Sequence, residues 1–339
     1  MSTDRRPRAL AALRGGLADE FYTPTRTELD KTGVDLVLEK YSTIAEILPF
    51  AREVDAIYQG RVAMNRELLS QLPNLKAICA LGVGFDDFDV EAATELGIVV
   101  INLPRVFHRE VAAHAMALLL SIVRQIVPSN ADMHAHAGDP NHKIHPIRPR
   151  HHLYGETLGL LALGNIARVV AQMARGFELK VIAHDPFVKK EVADELGVTL
   201  VSFEELLRES DFISMHTPLM KSTHHLMGEA QFRMMKPTSI FINTSRGPTV
   251  DEVALVKALR EGWISAAGLD VTEIEPPHFD NPLLTLPNVV LTPHIAAGSD
   301  RERVERARWM GIEVGQVLSG HWPINGLVNR SVKPRATLS

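Results

Sequence analysis

Short uncharged apolar runs alternate along this chain with longer stretches in which apolar residues return every three or four positions. The runs suit strands buried on both faces of a parallel sheet, and the stretches suit helices packed on one side. Thr157–Pro186 shows the alternation in full. Leu158–Leu163 reads as a strand, and Gly164 breaks it. From Asn165, the residues Ile166, Val169, Val170, Met173, Ala174 and Phe177 fall on one helical face, and Gly176 marks the stop. Lys180–Ala183 is a second strand, with Asp185 just past its end. A strand–turn–helix–strand unit with an acidic residue about 20 positions beyond the turn has the layout of a dinucleotide site. The glycine pattern is partial. The expected G-x-G-x-x-G/A stands here as Ala162-x-Gly164-x-x-Ala167, with an alanine where the tight turn calls for glycine. Taken alone, the unit is also open to a structural βαβ reading with no ligand.

The same alternation extends in both directions. Upstream, strands are predicted at Arg8–Leu13, Val34–Leu38, Ala56–Tyr58, Leu75–Ala80 and Ile98–Asn102. Helices are predicted at Ser42–Phe50 (Ser42 as cap, Glu46 near its first turn), Asn65–Gln71 and Val90–Leu96. Arg109–Ile126 is the longest helical candidate. An irregular stretch rich in proline and histidine separates it from Leu158. Downstream, helices at Phe203–Arg208, Glu229–Met235 and Glu252–Glu261 alternate with strands at Phe212–His216, Ile240–Thr244, Ala266–Asp270 and Val289–Leu291. Asp300–Leu318 is a closing helix that periodicity alone does not place. Repeated βα alternation implies parallel sheets with helices on both faces.

Composition narrows the class. At 339 residues two domains are the default. Apolar content of 45% and charged content of 23% are ordinary for a globular protein. A net charge of -5 leaves no nucleic-acid footprint. The single cysteine, Cys79, rules out an internal disulfide framework, suits a cytoplasmic setting and reads as a buried thiol. The longest apolar stretch, Val111–Val123, falls short of the ~18 residues of a membrane span and contains His114. The basic N-terminus carries too short an apolar piece for a signal peptide.

Three further motifs stand at set intervals: Asn243–Gly247 (NTSRG), Gly268–Pro276 (GLDVTEIEP) and Thr292–Ala296 (TPHIA). With Leu81–Asn102 upstream and Trp322–Asn329 downstream, they resemble the D-isomer-specific 2-hydroxyacid dehydrogenases over nearly the full length. The resemblance implies an α/β fold of two doubly wound, Rossmann-like parallel-sheet domains. One is a discontinuous substrate domain (1–105 plus 299–339), and the other is an NAD-binding domain (106–298). It implies a homodimer acting on a small 2-keto or 2-hydroxy acid, with neither nucleic acid nor membrane as partner. Arg246 falls on the family's substrate-binding arginine, Glu275 on its catalytic glutamate and His294 on its catalytic histidine. Cofactor contacts are expected at Gly164, Asn165, Ile166, Asp185, Thr217, Pro218, Thr244, Ser245 and Asp270. Backbone N–H groups at Val83 and Gly84 are expected to meet the substrate carboxylate, close approach being open to a glycine.

These residue types suit the chemistry. Arg246 presents a planar fork of donors to a carboxylate or keto oxygen. A histidine titrates near neutrality and can take the hydroxyl proton or return it. A carboxylate on that imidazole orients it and raises its pKa. Related formate dehydrogenases carry glutamine where Glu275 stands, so the glutamate points to a hydroxyacid enzyme. Asp185 is placed to bond the ribose 2′-OH of NAD and to repel the 2′-phosphate of NADP. Each residue also has a plain reading on type alone: Arg246 at the surface, Glu275 solvated, His294 in the core, Asp185 in a turn.

Several positions depart from the family pattern. His108 holds a small polar position, and Ala113 holds a glutamate's. With Ala162, these changes predict altered cofactor affinity and leave room for an alternative, an NAD(H)-sensing, corepressor-like scaffold with little turnover. The histidines from His134 to His152, including His136, His142 and His145, read as a loop or dimer arm rather than a metal site. His224 and His225 read as surface residues. The short tail after the closing helix predicts no added regulatory domain.

Overall fold

The computed structural model describes residues 5–13, 19–60, 62–139, 141–142 and 152–339. The chain forms two compact units, Met1–Phe107 with Ser299–Ser339, and His108–Gly298. In the first, strands β1 (Arg8–Ala12), β2 (Asp35–Glu39), β3 (Ala56–Tyr58), β4 (Ala77–Cys79) and β5 (Val99–Ile101) make a parallel sheet in the order β2-β1-β3-β4-β5. Helices α1 (Thr23–Asp30), α2 (Ile44–Ala51), α3 (Arg66–Leu69) and α4 (Val90–Glu95) run between them. Successive strand residues enter two different cores. Ala9, Ala11, Tyr58 and Cys79 pack on one face, and Leu10, Ala12, Ile57 and Ile78 on the other. Both faces are therefore covered, which is why these strands carry no polar alternation.

The second unit begins with α5 (His108–Val123) and α6 (Ile126–Ala135). There follow β6 (Thr157–Leu161), α7 (Asn165–Gly176), β7 (Lys180–His184), α8 (Lys190–Leu196), β8 (Thr199–Leu200), α9 (Phe203–Glu209) and β9 (Phe212–Met215). Next come α10 (Glu229–Met234), β10 (Ile240–Asn243), α11 (Glu252–Glu261), β11 (Ala266–Leu269) and β12 (Val289–Leu291). The sheet is parallel throughout, in the order β12-β11-β10-β9-β6-β7-β8. Its order reverses between β6 and β9, and the strand ends beside such a reversal are where open α/β sheets bind ligands. Against this sheet α7 buries Ala167, Val170, Ala171 and Ala174, while Ile166, Val169, Met173 and Phe177 flank that row. The contact face is thus turned slightly from the one the bulky residues suggest, and alanines let the helix lie close. α12 (Glu302–Leu318) returns to the first unit. Thr25 Oγ1 on α1 donates to the Ala307 carbonyl at 2.7 Å, and a Cβ on Gly311 would meet the Thr25 carbonyl oxygen at 2.6 Å.

Several elements differ from the sequence reading. The cap of α2 is Thr43, not Ser42. Thr43 Oγ1 accepts the Glu46 N–H at 3.3 Å, and the Glu46 carboxylate accepts the Ser42 N–H at 2.7 Å. α1 and α8 escaped detection because they bury so little, Thr25 and Leu29 in one and Ala193 in the other. A helical period needs more apolar positions than that. α6, also unpredicted, buries no residue and is split from α5 by Gln125, whose φ is +54°. α12, with 17 residues, is longer than α5 with 16.

Candidate active site

Every expected site residue of the second unit lies beyond the C-terminal end of a strand, in the turn that follows or, for Asn165 and Ile166, in the first turn of the next helix, α7. Ala162–Gly164 follow β6, Asp185 follows β7, and Thr217 and Pro218 follow β9. Thr244–Arg246 follow β10, Asp270 and Glu275 follow β11, and His294 follows β12. A parallel sheet points all these ends the same way, so residues far apart in sequence share one edge. Val83 and Gly84 belong to the other unit, on the loop after β4, where Asn102 Nδ2 donates to the Val83 carbonyl at 2.8 Å.

The glycine turn is built around Asp185. Its Oδ2 accepts the Leu163 N–H at 2.9 Å, and its Oδ1 accepts those of Phe187 (2.8 Å) and Val188 (3.2 Å). The carboxylate therefore ties the end of β7 to the turn between β6 and α7. Ala162 sits at φ +72°, the left-handed conformation that glycine adopts without strain. Gly164 is the N-cap of α7 without a side-chain cap, and a Cβ built there would meet nothing within 4 Å. Open space ahead of a helix N-terminus suits an anion such as a pyrophosphate. The hydroxyls of Thr217 and Thr244 are buried, yet neither has a hydrogen-bond partner among the described residues. Two orphaned hydroxyls at adjacent strand ends fit a bound polar group that completes them. Together these features fit a dinucleotide.

At the far side of the edge, His294 Nδ1 lies 2.6 Å from Glu275 Oε2. That hydrogen bond raises the histidine's pKa above its ordinary value, against burial and the Arg246 charge, which lower it. Burial pushes Glu275 up, but the bond from His294 and the nearby Arg246 charge leave it below the usual carboxylate range. The two residues form a charge-assisted pair that leaves imidazole Nε2 pointing away from Glu275. His294 is 48% exposed, so it is not a core histidine. Arg246 Nη1 donates to the Ser245 carbonyl at 2.7 Å. The Arg246 carbonyl accepts from Asn243 Nδ2 at 3.1 Å and Thr249 Oγ1 at 2.5 Å, which fixes the backbone under the side chain. The next residue must be glycine, because a Cβ on Gly247 would overlap the Thr272 carbonyl.

The sequence reading missed the framework behind this pair. The Asp270 carboxylate is 1% exposed and accepts Thr292 Oγ1–H (2.6 Å), Ile295 N–H (2.9 Å) and Ala296 N–H (2.8 Å). His114 on α5 places Nε2 2.9 Å from Thr292 Oγ1. A lone histidine inside the apolar stretch of α5 was the available signal. Before Thr217, burial pushes His216 down to about 4, so it is neutral at physiological pH, with Nε2 2.9 Å from Ser214 Oγ.

Two histidine clusters lie elsewhere. His136 and His142 both meet Asp132, at 3.2 and 2.8 Å, with their rings stacked 4.0 Å apart and 4° from parallel. A metal ion must lie in the plane of each imidazole that binds it, so stacked parallel rings do not share one. His145 and His151 fall outside the described residues. His225 is at the surface but not idle, since its Nε2 meets Glu273 at 2.7 Å.

A doubly wound parallel sheet with a glycine turn, an acidic residue after the next strand and this charged edge is the architecture of a dinucleotide-dependent dehydrogenase. The family model described as "D-isomer specific 2-hydroxyacid dehydrogenase, NAD binding domain" matches residues 116–296. A glyoxylate reductase of Thermococcus litoralis is 42% identical over 291 residues, 84% of this chain and 87% of that one. A D-3-phosphoglycerate dehydrogenase of Methanocaldococcus jannaschii is 38% identical over 87% of this chain and 56% of its own. The crystal structure of an NADPH-dependent glyoxylate/hydroxypyruvate reductase from Sinorhizobium meliloti, in complex with NADP and malonate, superposes with a TM-score of 0.84. It is 28% identical over 98% of this chain and 100% of that one. The chain belongs to the D-isomer specific 2-hydroxyacid dehydrogenase family. It is an oxidoreductase that interconverts 2-hydroxy and 2-keto acids with a nicotinamide cofactor. Among the described residues no single helix is long and apolar enough to cross a membrane.

Proposed function

We propose that the chain reduces a small 2-keto acid, glyoxylate in the first instance, with NADH, and that Arg246, Glu275 and His294 are its catalytic group. The observation that carries this reading is the 2.6 Å contact between His294 and Glu275 within electrostatic reach of Arg246. The bound nicotinamide supplies the hydride. Arg246 holds the substrate carboxylate or polarises the keto oxygen with paired donors. His294 Nε2 gives its proton to that oxygen as charge develops there, and Glu275 keeps the imidazole charged until then. In the oxidation direction the same nitrogen takes the proton back. This group speaks against a cofactor-sensing scaffold with little turnover.

The His108–Gly298 unit is the cofactor half. Gly164, Asn165 and Ile166 receive the pyrophosphate. Asp185 accepts from the ribose hydroxyl and disfavours a 2′-phosphate. Thr217, Pro218, Thr244 and Ser245 would face the nicotinamide half, whereas the expected contact of Asp270 is corrected by its burial: its carboxylate is taken up by Thr292, Ile295 and Ala296 and supports the site from behind. The other unit is the substrate-binding half, and the backbone N–H groups of Val83 and Gly84 are its substrate contacts. Glyoxylate is favoured because relatives at 42% identity bear that activity in their names.

A panel of glyoxylate, hydroxypyruvate, phosphohydroxypyruvate, pyruvate and phenylpyruvate, each with NADH and NADPH, tests the reading. The fastest turnover is expected with glyoxylate and NADH; faster turnover with NADPH overturns the role of Asp185. His294→Ala and Arg246→Ala each lower turnover at least about a hundredfold, and wild-type rates in either sink the mechanism.

The enzyme works in the cytoplasm as a homodimer. α6 buries no residue and exposes Ile126, Val127 and Met133, and so short a helix lacks stability without a covering surface. Light scattering should find a dimer that Val127→Asp with Met133→Asp dissociates.

A further inference from the structure

Among the described residues, His294 is one of five other than glycine with positive φ, at +52°, a conformation that costs an L-residue energy and is held by its surroundings. The hydrogen bonds around it show what imposes it. The His294 N–H donates to the Asp270 carbonyl at 2.8 Å, and the next two amides, of Ile295 and Ala296, donate to the two oxygens of the Asp270 carboxylate. One buried aspartate thus takes three successive N–H groups, which curls the chain at His294 and turns the ring onto Glu275. Asp270 can do this only if its carboxylate is held in one orientation. Thr292 Oγ1 holds it, at 2.6 Å from Oδ1.

That hydroxyl has one proton. The carboxylate is the stronger acceptor and the shorter contact, so the proton goes to Asp270. The hydroxyl's lone pair then faces His114 Nε2, 2.9 Å away, so Nε2 must carry a proton and donate it. The order is His114 Nε2–H to Thr292 Oγ–H to Asp270 Oδ1, and Asp270 in turn accepts the backbone N–H groups of His294, Ile295 and Ala296. His114 is mounted on α5, which packs along β11 and β12, so the relay anchors the loop to the core.

We propose that His114 is a positioning residue for the acid–base histidine: by fixing the Thr292 hydroxyl and through it Asp270, it holds His294 in its left-handed backbone conformation with the imidazole on Glu275. This rests on the reading of His294 as the proton donor. His114 touches neither Glu275 nor the His294 ring. The charged groups around His294 are Glu275, Arg246 and Asp270, and His114 Nε2 itself lies 3.5 Å from Asp270 Oδ1.

The test combines kinetics with titration of the His294 ring, followed by NMR of ring-labelled histidine and assigned with His294→Asn. With glyoxylate and NADH, His114→Ala is expected to lower kcat about tenfold while the KM for NADH holds. His114→Gln, whose amide nitrogen can reach the place of Nε2–H, restores most of it. Thr292→Val loses more, Thr292→Ser little, and adding His114→Ala to Thr292→Val changes nothing further, as expected of one relay. In His114→Ala the His294 ring titrates at lower pH, because the contact with Glu275 is loosened. A purely structural role lowers the melting temperature and leaves that titration in place. Unchanged His294 titration in both His114→Ala and Thr292→Val overturns the proposal, whether or not glyoxylate is the substrate. So do a failure of His114→Gln to restore and additive losses in the double variant. If His294→Asn retains full activity, the acid–base reading falls instead, and the ring titration still decides whether His114 positions the loop.

Discussion

Ala162 offers a change whose sign tests the backbone conformation directly. At φ +72° an L-residue carries a left-handed penalty of about 1–2 kcal/mol, which Ala162→Gly removes. Two effects oppose the gain. Glycine frees the unfolded chain by about 0.4–1 kcal/mol. Deleting a partly buried methyl forfeits a fraction of the ~0.8 kcal/mol of a buried carbon. What remains is a stabilisation of about 0.5 kcal/mol, which in a unit of this size raises the melting temperature by roughly 1–2 °C. The sign matters more than the size. At any position with ordinary φ the same substitution destabilises by about 0.5–1 kcal/mol. Ala162→Val provides the opposite arm, since a β-branched residue tolerates positive φ worst, and it should lower stability by about 1 kcal/mol or more. Scanning calorimetry on the three proteins in one buffer gives the order Gly, Ala, Val. A lower melting temperature for Ala162→Gly than for the parent refutes the left-handed assignment and the strain inferred from it.

Three other outcomes follow from the site. Glu275→Gln removes the charge that raises His294 and leaves only a neutral amide oxygen to accept from its Nδ1–H. Keto-acid reduction needs the protonated ring, so the alkaline limb of its pH–rate profile should move to lower pH; an unmoved limb contradicts the pairing. Thr217→Val and Thr244→Val remove hydroxyls that have no partner among the described residues, so each should leave the melting temperature within about 1 °C and weaken NADH binding several-fold by fluorescence titration. A variant that loses stability and retains NADH affinity counts against the cofactor role. Gly247→Ala forces the Arg246 loop off the Thr272 backbone and should cost at least about tenfold in kcat/KM, while a wild-type value contradicts that close approach.

How much of this was legible in the sequence depends on which force wrote each feature. Strands buried on both faces announce themselves, because nothing polar can be tolerated in them. β3 accordingly matches its predicted range, Ala56–Tyr58, residue for residue. Elements held by a few contacts leave no period to read, as in α1, where only Thr25 and Leu29 are buried. The placement of α12 on α1 depends on Gly311 and Thr25 meeting across 286 positions, a contact no local pattern encodes.

The site divides in the same way. Arg246, Glu275 and His294 are legible through motif spacing because chemistry restricts their types, and strand topology then gathers their strand ends along one edge. Asp270 shows where residue type falls short. In the sequence it is an acidic residue inside the GLDVTEIEP motif, with an expected cofactor contact; in the fold its carboxylate is closed off by Thr292, Ile295 and Ala296. The negative charge is therefore spent inside the protein, on shaping the backbone at His294 and supporting the charged imidazole. Asp185 is used likewise, with three backbone N–H groups on its two oxygens: Oδ1 takes two and Oδ2 one, which leaves Oδ2 a second lone pair. On the proposed reading this carboxylate both builds a turn and accepts from the ribose hydroxyl, which ties recognition to folding. Asp185→Ala should then loosen the glycine turn as well as the choice between NADH and NADPH, whereas Asp185→Asn, which retains an acceptor for Leu163, separates the two roles.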